Sequence, residues 1–204
     1  GGGKLGGDVE VDETYIGGKA RNMHYAKRRM LMEATTDKWG NPSKKNRWAG
    51  KVPVLGMLER GKDGKSRVRT KTIPDVRQHR MHNEVRENIA EGSTVYTDAL
   101  HSYHGITRYG VEHQVIDHAE AYARGQVHTN GLESYWSLLK RALAGTYISV
   151  EPFHLFRYLD EQAFRFNNRV VNDAQRFALL ITGIVGKRLT YAELIASAAD
   201  AGSI

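Results

Sequence analysis

Apolar and polar residues alternate in Asp8-Val9-Glu10-Val11-Asp12, so an extended segment would carry its valines on one face and three carboxylates on the other. A strand is predicted from residue 8 to about Tyr15, ended by Gly17 and Gly18. Residues 51–60 and 67–73 read as two more strands joined by a hairpin turn at Lys62-Asp63-Gly64-Lys65. Pro53 falls near a strand start, where a missing N–H is tolerated. Residues 75–90 are helical in composition and Gly92 stops them, while 93–98 and 111–116 are short β-rich runs. From Thr129 onward the period becomes helical. Leu132, Tyr135, Trp136, Leu139 and Leu143 mark one buried face at i, i+3, i+4, i+7 spacing. Further helices are predicted over 152–168 and 173–185, and a last one after the capping-box pattern Thr190-Tyr191-Ala192-Glu193. The order of elements is that of an α/β protein.

Composition narrows the class. With 204 residues and 40% apolar content, the chain can bury a real core as one large domain or a domain with an appendage. The absence of cysteine excludes disulfides, cysteine-ligated zinc and thiol nucleophiles together. No apolar run approaches the roughly 18 to 20 residues of a membrane span, and the glycine-rich start at residues 1–7 has no signal-peptide core and reads as a flexible start or tag. A cytoplasmic protein without membrane contact is expected. Thirty Lys and Arg against 23 Asp and Glu leave a net charge of +7, which suits a polyanionic partner and equally suits a solvated basic surface. The basic stretch 19–29 and the run Lys44-Lys45-Asn46-Arg47-Trp48 carry the same two readings.

Three acids stand out by position. Asp12 closes a strand, Asp98 closes another, and Glu133 lies in the first turn of the amphipathic helix. Strand-terminal Asp is often only a turn or cap residue, and Asn130-Gly131-Leu132-Glu133 matches a local capping box. The alternative is convergence at the carboxyl ends of adjacent strands, where open α/β sheets place ligands. Lys140 follows Glu133 by seven residues, about 20° short of two turns and roughly 10 Å along the helix, with Ser137 between them. Three carboxylates suit two-metal phosphoryl transfer, in which hard oxygen ligands hold two Mg²⁺ ions. A zinc reading of His79-x-x-His82 and His101-x-x-His104 lacks third and fourth ligands at zinc spacing. His118 and His128 flank the interval between Asp98 and Glu133, placed to touch phosphate, to orient a carboxylate or simply to satisfy a hydrogen bond.

These runs carry a resemblance. Val9-Glu10-Val11-Asp12-Glu13-Thr14-Tyr15-Ile16-Gly17-Gly18-Lys19, then Val95-Tyr96-Thr97-Asp98 with Tyr103, then residues 128–137 through Lys140-Arg141 and Gly145-Thr146-Tyr147, resemble the DDE-type transposases of bacterial insertion sequences. The ISXO-like transposase domain is the group they are most similar to, and Tyr158-Leu159-Asp160-Glu161 with residues 164–169 extends the likeness. The resemblance implies a ribonuclease H-like fold, a mixed five-stranded sheet flanked by helices with a helical carboxyl-terminal part. It implies a catalytic domain over 8–170 with an extension, 171–204, packed on it. It also implies metal-dependent DNA cleavage at transposon ends and strand transfer to target DNA, by a homo-oligomer assembled on DNA. Asp12, Asp98 and Glu133 would be the catalytic metal ligands for two Mg²⁺, with Mn²⁺ as a substitute. Lys140, Arg141, Lys19, Asn130 and His128 would face DNA. Some members of the group use an Asn at the third position, so Asn130 is a second candidate there, with helix capping as its other role. Members usually carry an amino-terminal zinc-binding region that nothing here supplies, so a catalytic fragment is expected. The rival readings are a nuclease of the same fold without strand transfer and an inactive DNA-binding relic.

Overall fold

The computed structural model describes residues 3–18, 23–33, 50–61, 65–116, 130–147 and 150–195. The elements run β1 (Asp8–Ile16), α1 (Tyr25–Glu33), β2 (Val52–Glu59), β3 (Arg67–Thr72), α2 (Gln78–Asn88), β4 (Thr94–Thr97), β5 (Glu112–Val115), α3 (Asn130–Gly145), α4 (Leu155–Asn167), α5 (Asp173–Ile184) and α6 (Tyr191–Ile195). Two short 3-10 turns, His101–Tyr103 and Ile106–Tyr109, link β4 to β5.

The strands form one sheet in the order β3-β2-β1-β4-β5. β1 is antiparallel to β2 and parallel to β4, and β5 continues the parallel side. This is the mixed five-stranded sheet flanked by helices that the resemblance implies. Each face packs its own core. Val9 and Val11 of β1 join Leu55, Met57, Met81, Val85, Val95 and Tyr103 on the α2 side. Val54, Leu58 and Val68 meet Leu132, Tyr135, Trp136 and Leu139 of α3 and Leu155 and Leu159 of α4 on the other. The face predicted for α3 is the buried one.

The edge of β3 is closed by a side chain. Asn167, at the end of α4, accepts from Val68 N–H and donates to the Val68 carbonyl, at 2.7 and 2.9 Å, so this outer strand offers no unpaired groups there.

Two expectations change. The start read as flexible over 1–7 is tied down from Leu5 onward. Leu5 is fully buried, its N–H donates to Asn88 and its carbonyl accepts from Ala90, while Gly6 N–H donates to Glu59. One apolar side chain among glycines shows no periodicity, which is why pattern alone misses it. The basic stretch after β1 contains α1, a helix whose Tyr25 and Met30 are exposed. It has no apolar stripe to announce it.

Gly56 and Gly131 let α3 approach the sheet. A Cβ on Gly56 would lie 2.5 Å from the Trp136 ring, and one on Gly131 would lie 2.9 Å from a Glu10 carboxylate oxygen. Glycine to alanine inside a helix ordinarily gains about 1 kcal/mol. Gly131→Ala is expected to reverse that sign and cost about 1–3 kcal/mol through overpacking, read as a lower urea midpoint at unchanged m-value.

Candidate active site

β1 presents its acids by alternation. Glu10 and Asp12 turn toward α3, while Glu13 turns toward Tyr103 on the α2 side. Glu10 is buried and fully engaged. Its Oε1 accepts from Arg60 Nε and its Oε2 from Leu132 N–H, both at 2.8 Å. The first turn of α3 is thus anchored to the sheet by Glu10. The capping box read at residues 130–133 does not carry that anchor, because Asn130 is itself helical.

Asp12 is half-buried opposite Gly56 of β2. The space left by Gly56 admits the Trp136 indole, whose Nε1–H donates to Asp12 Oδ2 at 2.9 Å. Burial raises the Asp12 pKa, the Trp136 and backbone hydrogen bonds oppose that rise, and the charges of Asp98 and Glu133 add to it.

Asp98 follows β4 directly. The parallel register pairs Val9 with Val95 and Glu10 with Tyr96, so two residues further on it brings Asp12 level with Asp98. Leu100 N–H donates to Asp98 Oδ1 at 3.1 Å, so the turn role and the strand-end position coexist in one residue. Just before it, Thr97 Oγ1 donates to the Asp98 carbonyl and stands 2.8 Å from His113 Nε2.

Glu133 is exposed in the first turn of α3, and Ser137, Lys140 and Arg141 are exposed further along the same helix. Asn130 is exposed at its first residue. Lys19, His118, His128 and the run 44–48 lie outside the described residues. Arg157, Arg165 and Arg169 are engaged within the chain: Arg165 pairs with Glu161, Arg169 stacks on Phe166, and Arg157 donates to the carbonyls of Glu193 and Leu194. Among the described residues no three His, Cys, Asp or Glu side chains are gathered tightly enough to hold a metal ion as they stand. The histidine pairs are likewise not a ligand set, since His82 is buried against Arg108 and His101 stacks on His104.

Residues 4–167 match the ISXO2-like transposase domain family. The chain belongs to that family. Among solved structures, the catalytic core domain of BIV integrase is similar with a TM-score of 0.47 and 10% identity, covering 88% of this chain and 97% of that one. No curated protein matches the sequence. As a transposase domain, the chain has DNA for its partner, and no helix among its described residues is long and apolar enough to cross a membrane.

Two acids of this ISXO2-like domain escape a reading by pattern. Glu10 looks like one more polar position of an alternating strand, yet it is among the most buried charged groups. Glu13 follows Asp12 on the opposite face, accepts from the buried Tyr103 hydroxyl at 2.9 Å, and is pushed up to about 7 by burial and by the charges of Asp98 and Asp12. The Asp-Glu doublet, which lies in the middle of β1 and does not close it as the sequence pattern suggests, is the signal that points to it. Glu13 binds its proton more tightly in the folded state than at the ordinary value of 4.5, so this stabilising contribution is complete below about 4.5 and is lost as pH rises through about 7. The loss amounts to at most about 3 kcal/mol, given about 1.36 kcal/mol per pKa unit. In metal-free buffer, Glu13→Gln is expected to flatten the fall in urea midpoint between these two pH values relative to the parent chain; identical slopes would remove Glu13 from this role.

Proposed function

We propose that this domain cuts DNA strands at transposon ends and transfers the freed 3′-hydroxyl to target DNA, with Asp12, Asp98 and Glu133 as its catalytic acids. The observation that carries this reading is the strand register that sets Asp12 level with Asp98, beside the α3 turn that Glu10 anchors and that carries Glu133. Carboxylates held in one another's field favour a counter-charge, and oxygen donors are what Mg²⁺ takes. The donor chemistry therefore fits two Mg²⁺ ions or Mn²⁺ in their place, which Asp12, Asp98 and Glu133 would hold. When bound, such ions supply Lewis-acid polarisation of a phosphate and a more acidic attacking water.

The chain's own residues prepare that chemistry. The Trp136 indole fixes Asp12 and favours its ionised form, the Leu100 amide fixes Asp98, and Glu10 sets the height of the α3 turn that carries Glu133. Tyr103 and burial keep Glu13 turned to the other face of the sheet. Lys140 and Arg141, two turns past Glu133, would take backbone phosphates of the transposon end, with Asn130 contacting the site. Lys19 and His128 are assigned to DNA on sequence grounds. The catalytic unit spans 8–170 with 171–204 as an extension, and paired ends call for a homo-oligomer on DNA.

A labelled end duplex incubated with the protein and Mg²⁺ tests this reading. Strand-transfer product is the expected result. Hydrolysis alone would replace the proposal with a nuclease, and binding without Mg²⁺-dependent cleavage would replace it with a DNA-binding relic. Asp98→Asn should lower cleavage by more than about 100-fold, beyond the roughly 10- to 100-fold typical of residues that only support a ligand. Normal cleavage by that variant would sink the assignment. Lys140→Ala should weaken end binding while flattening its salt dependence by about one phosphate contact.

A further inference from the structure

α5 is amphipathic, and its apolar side is bare. Phe177, Leu180, Ile181 and Ile184 fall at i, i+3, i+4, i+7 on one stripe, and each is between 40 and 64% exposed. No residue of α5 is buried. Val185, Leu189 and Tyr191 prolong the exposed apolar surface beyond the helix end. Residues 177–186 carry no charge at all. Together these side chains expose on the order of several hundred Å², which matches the roughly 300–600 Å² of the largest patch on a typical monomer and approaches the ~800 Å² each partner contributes to a standard interface. A helix of this length is marginal in water without a packed face. Its first turn is closed locally by the Asn172–Gln175 capping box. The stripe lies beyond residues 4–167, outside the family match that contains the catalytic acids.

We infer that this stripe is a self-association face on which a second copy of the chain packs its own α5 antiparallel. An uncharged apolar stripe is the wrong chemistry for DNA phosphate. The charge layout around it is self-complementary. Asp173 opens the helix with its side chain 94% exposed, paired on one side with Arg176 of its own helix and open on the other, and Lys187 and Arg188 follow the helix end, both exposed. An antiparallel pair centred between Leu180 and Ile181 sets Phe177 against Ile184 of the second copy and Asp173 toward the second copy's Lys187 and Arg188. The same contact is made twice across a two-fold axis, which is the self-complementarity an isologous dimer requires. Antiparallel packing also opposes the two helix dipoles. This inference does not depend on the metal assignment.

Sedimentation equilibrium of the full chain without DNA tests it, and the expected result is a dimer at micromolar concentration. Ile181→Glu should raise the dimer dissociation constant at least about 30-fold, as expected for a central apolar anchor, while leaving the circular dichroism spectrum and urea midpoint of the domain unchanged. Asp173→Lys should weaken the dimer several-fold, and adding Lys187→Glu and Arg188→Glu should restore it. A parent chain that stays monomeric, or an Ile181→Glu chain that dimerises as well as the parent, overturns the proposal. Failure of the charge reversal to restore association overturns the antiparallel arrangement.

Discussion

The position of α3 on the sheet depends on one buried carboxylate. Glu10 sits in the middle of a central strand, 1% exposed, where an ionised group without partners would cost several kcal/mol. It is tolerated because both its oxygens are used: one takes the Arg60 guanidinium and the other an amide of the first turn of α3, the end of a helix that favours negative charge. Arg60 is itself stacked over Tyr96 of β4, so the clamp ties β1, β4, the end of β2 and α3 to a single point. Two residues along the strand, Asp12 takes the Trp136 indole, four residues along the helix. Two residues of strand advance about 6.6 Å and four of helix about 6 Å, so the two bonds are in step and α3 can lie along β1. Gly131 and Gly56 are the clearances that this closeness demands.

That geometry explains how the candidate acids share a field while coming from distant parts of the chain. β1 and β4 are parallel neighbours, and their register brings Asp12, in mid-β1, level with Asp98, directly after β4. The Glu10 clamp fixes which turn of α3 stands beside them, and Glu133 follows Leu132 immediately in that turn. A central strand buried on both faces ordinarily reads as a nearly continuous apolar run. β1 instead carries Glu10, Asp12 and Glu13, and it departs from the local rule where a functional site is expected to do so.

Much of this was legible in the sequence because it is carried by short-range periodicity. The period-two run of β1, the hairpin strands and the apolar stripe of α3 each announce themselves within a dozen residues. So does the Thr190–Glu193 capping box, whose reciprocal bonds are present. What stayed hidden depends on separation or on absence of a side chain. Glu10 meets Leu132 across 122 positions, and nothing near Glu10 distinguishes it from a solvent-facing acid. Gly56 looks like a strand weakness until Trp136 is found in its place. Leu5 is one buried residue among glycines, and α1 is a helix without an apolar face, so neither leaves a period to read.

The Trp136 bond also works against the burial of Asp12. Burial and two neighbouring carboxylates push it toward its neutral form, whereas a ligand or a phosphate-facing group has to be ionised to be of use. An indole N–H can only donate, so it rewards the carboxylate and gives the protonated acid less. Glu13, one residue on, takes the Tyr103 hydroxyl, which likewise favours the carboxylate, and burial still pushes it up to about 7. Both adjacent carboxyls are thus raised by burial, each opposed by one donor from its own face of the sheet. The face that holds the indole and the α3 turn is the face on which Glu133 and the exposed cations of α3 stand.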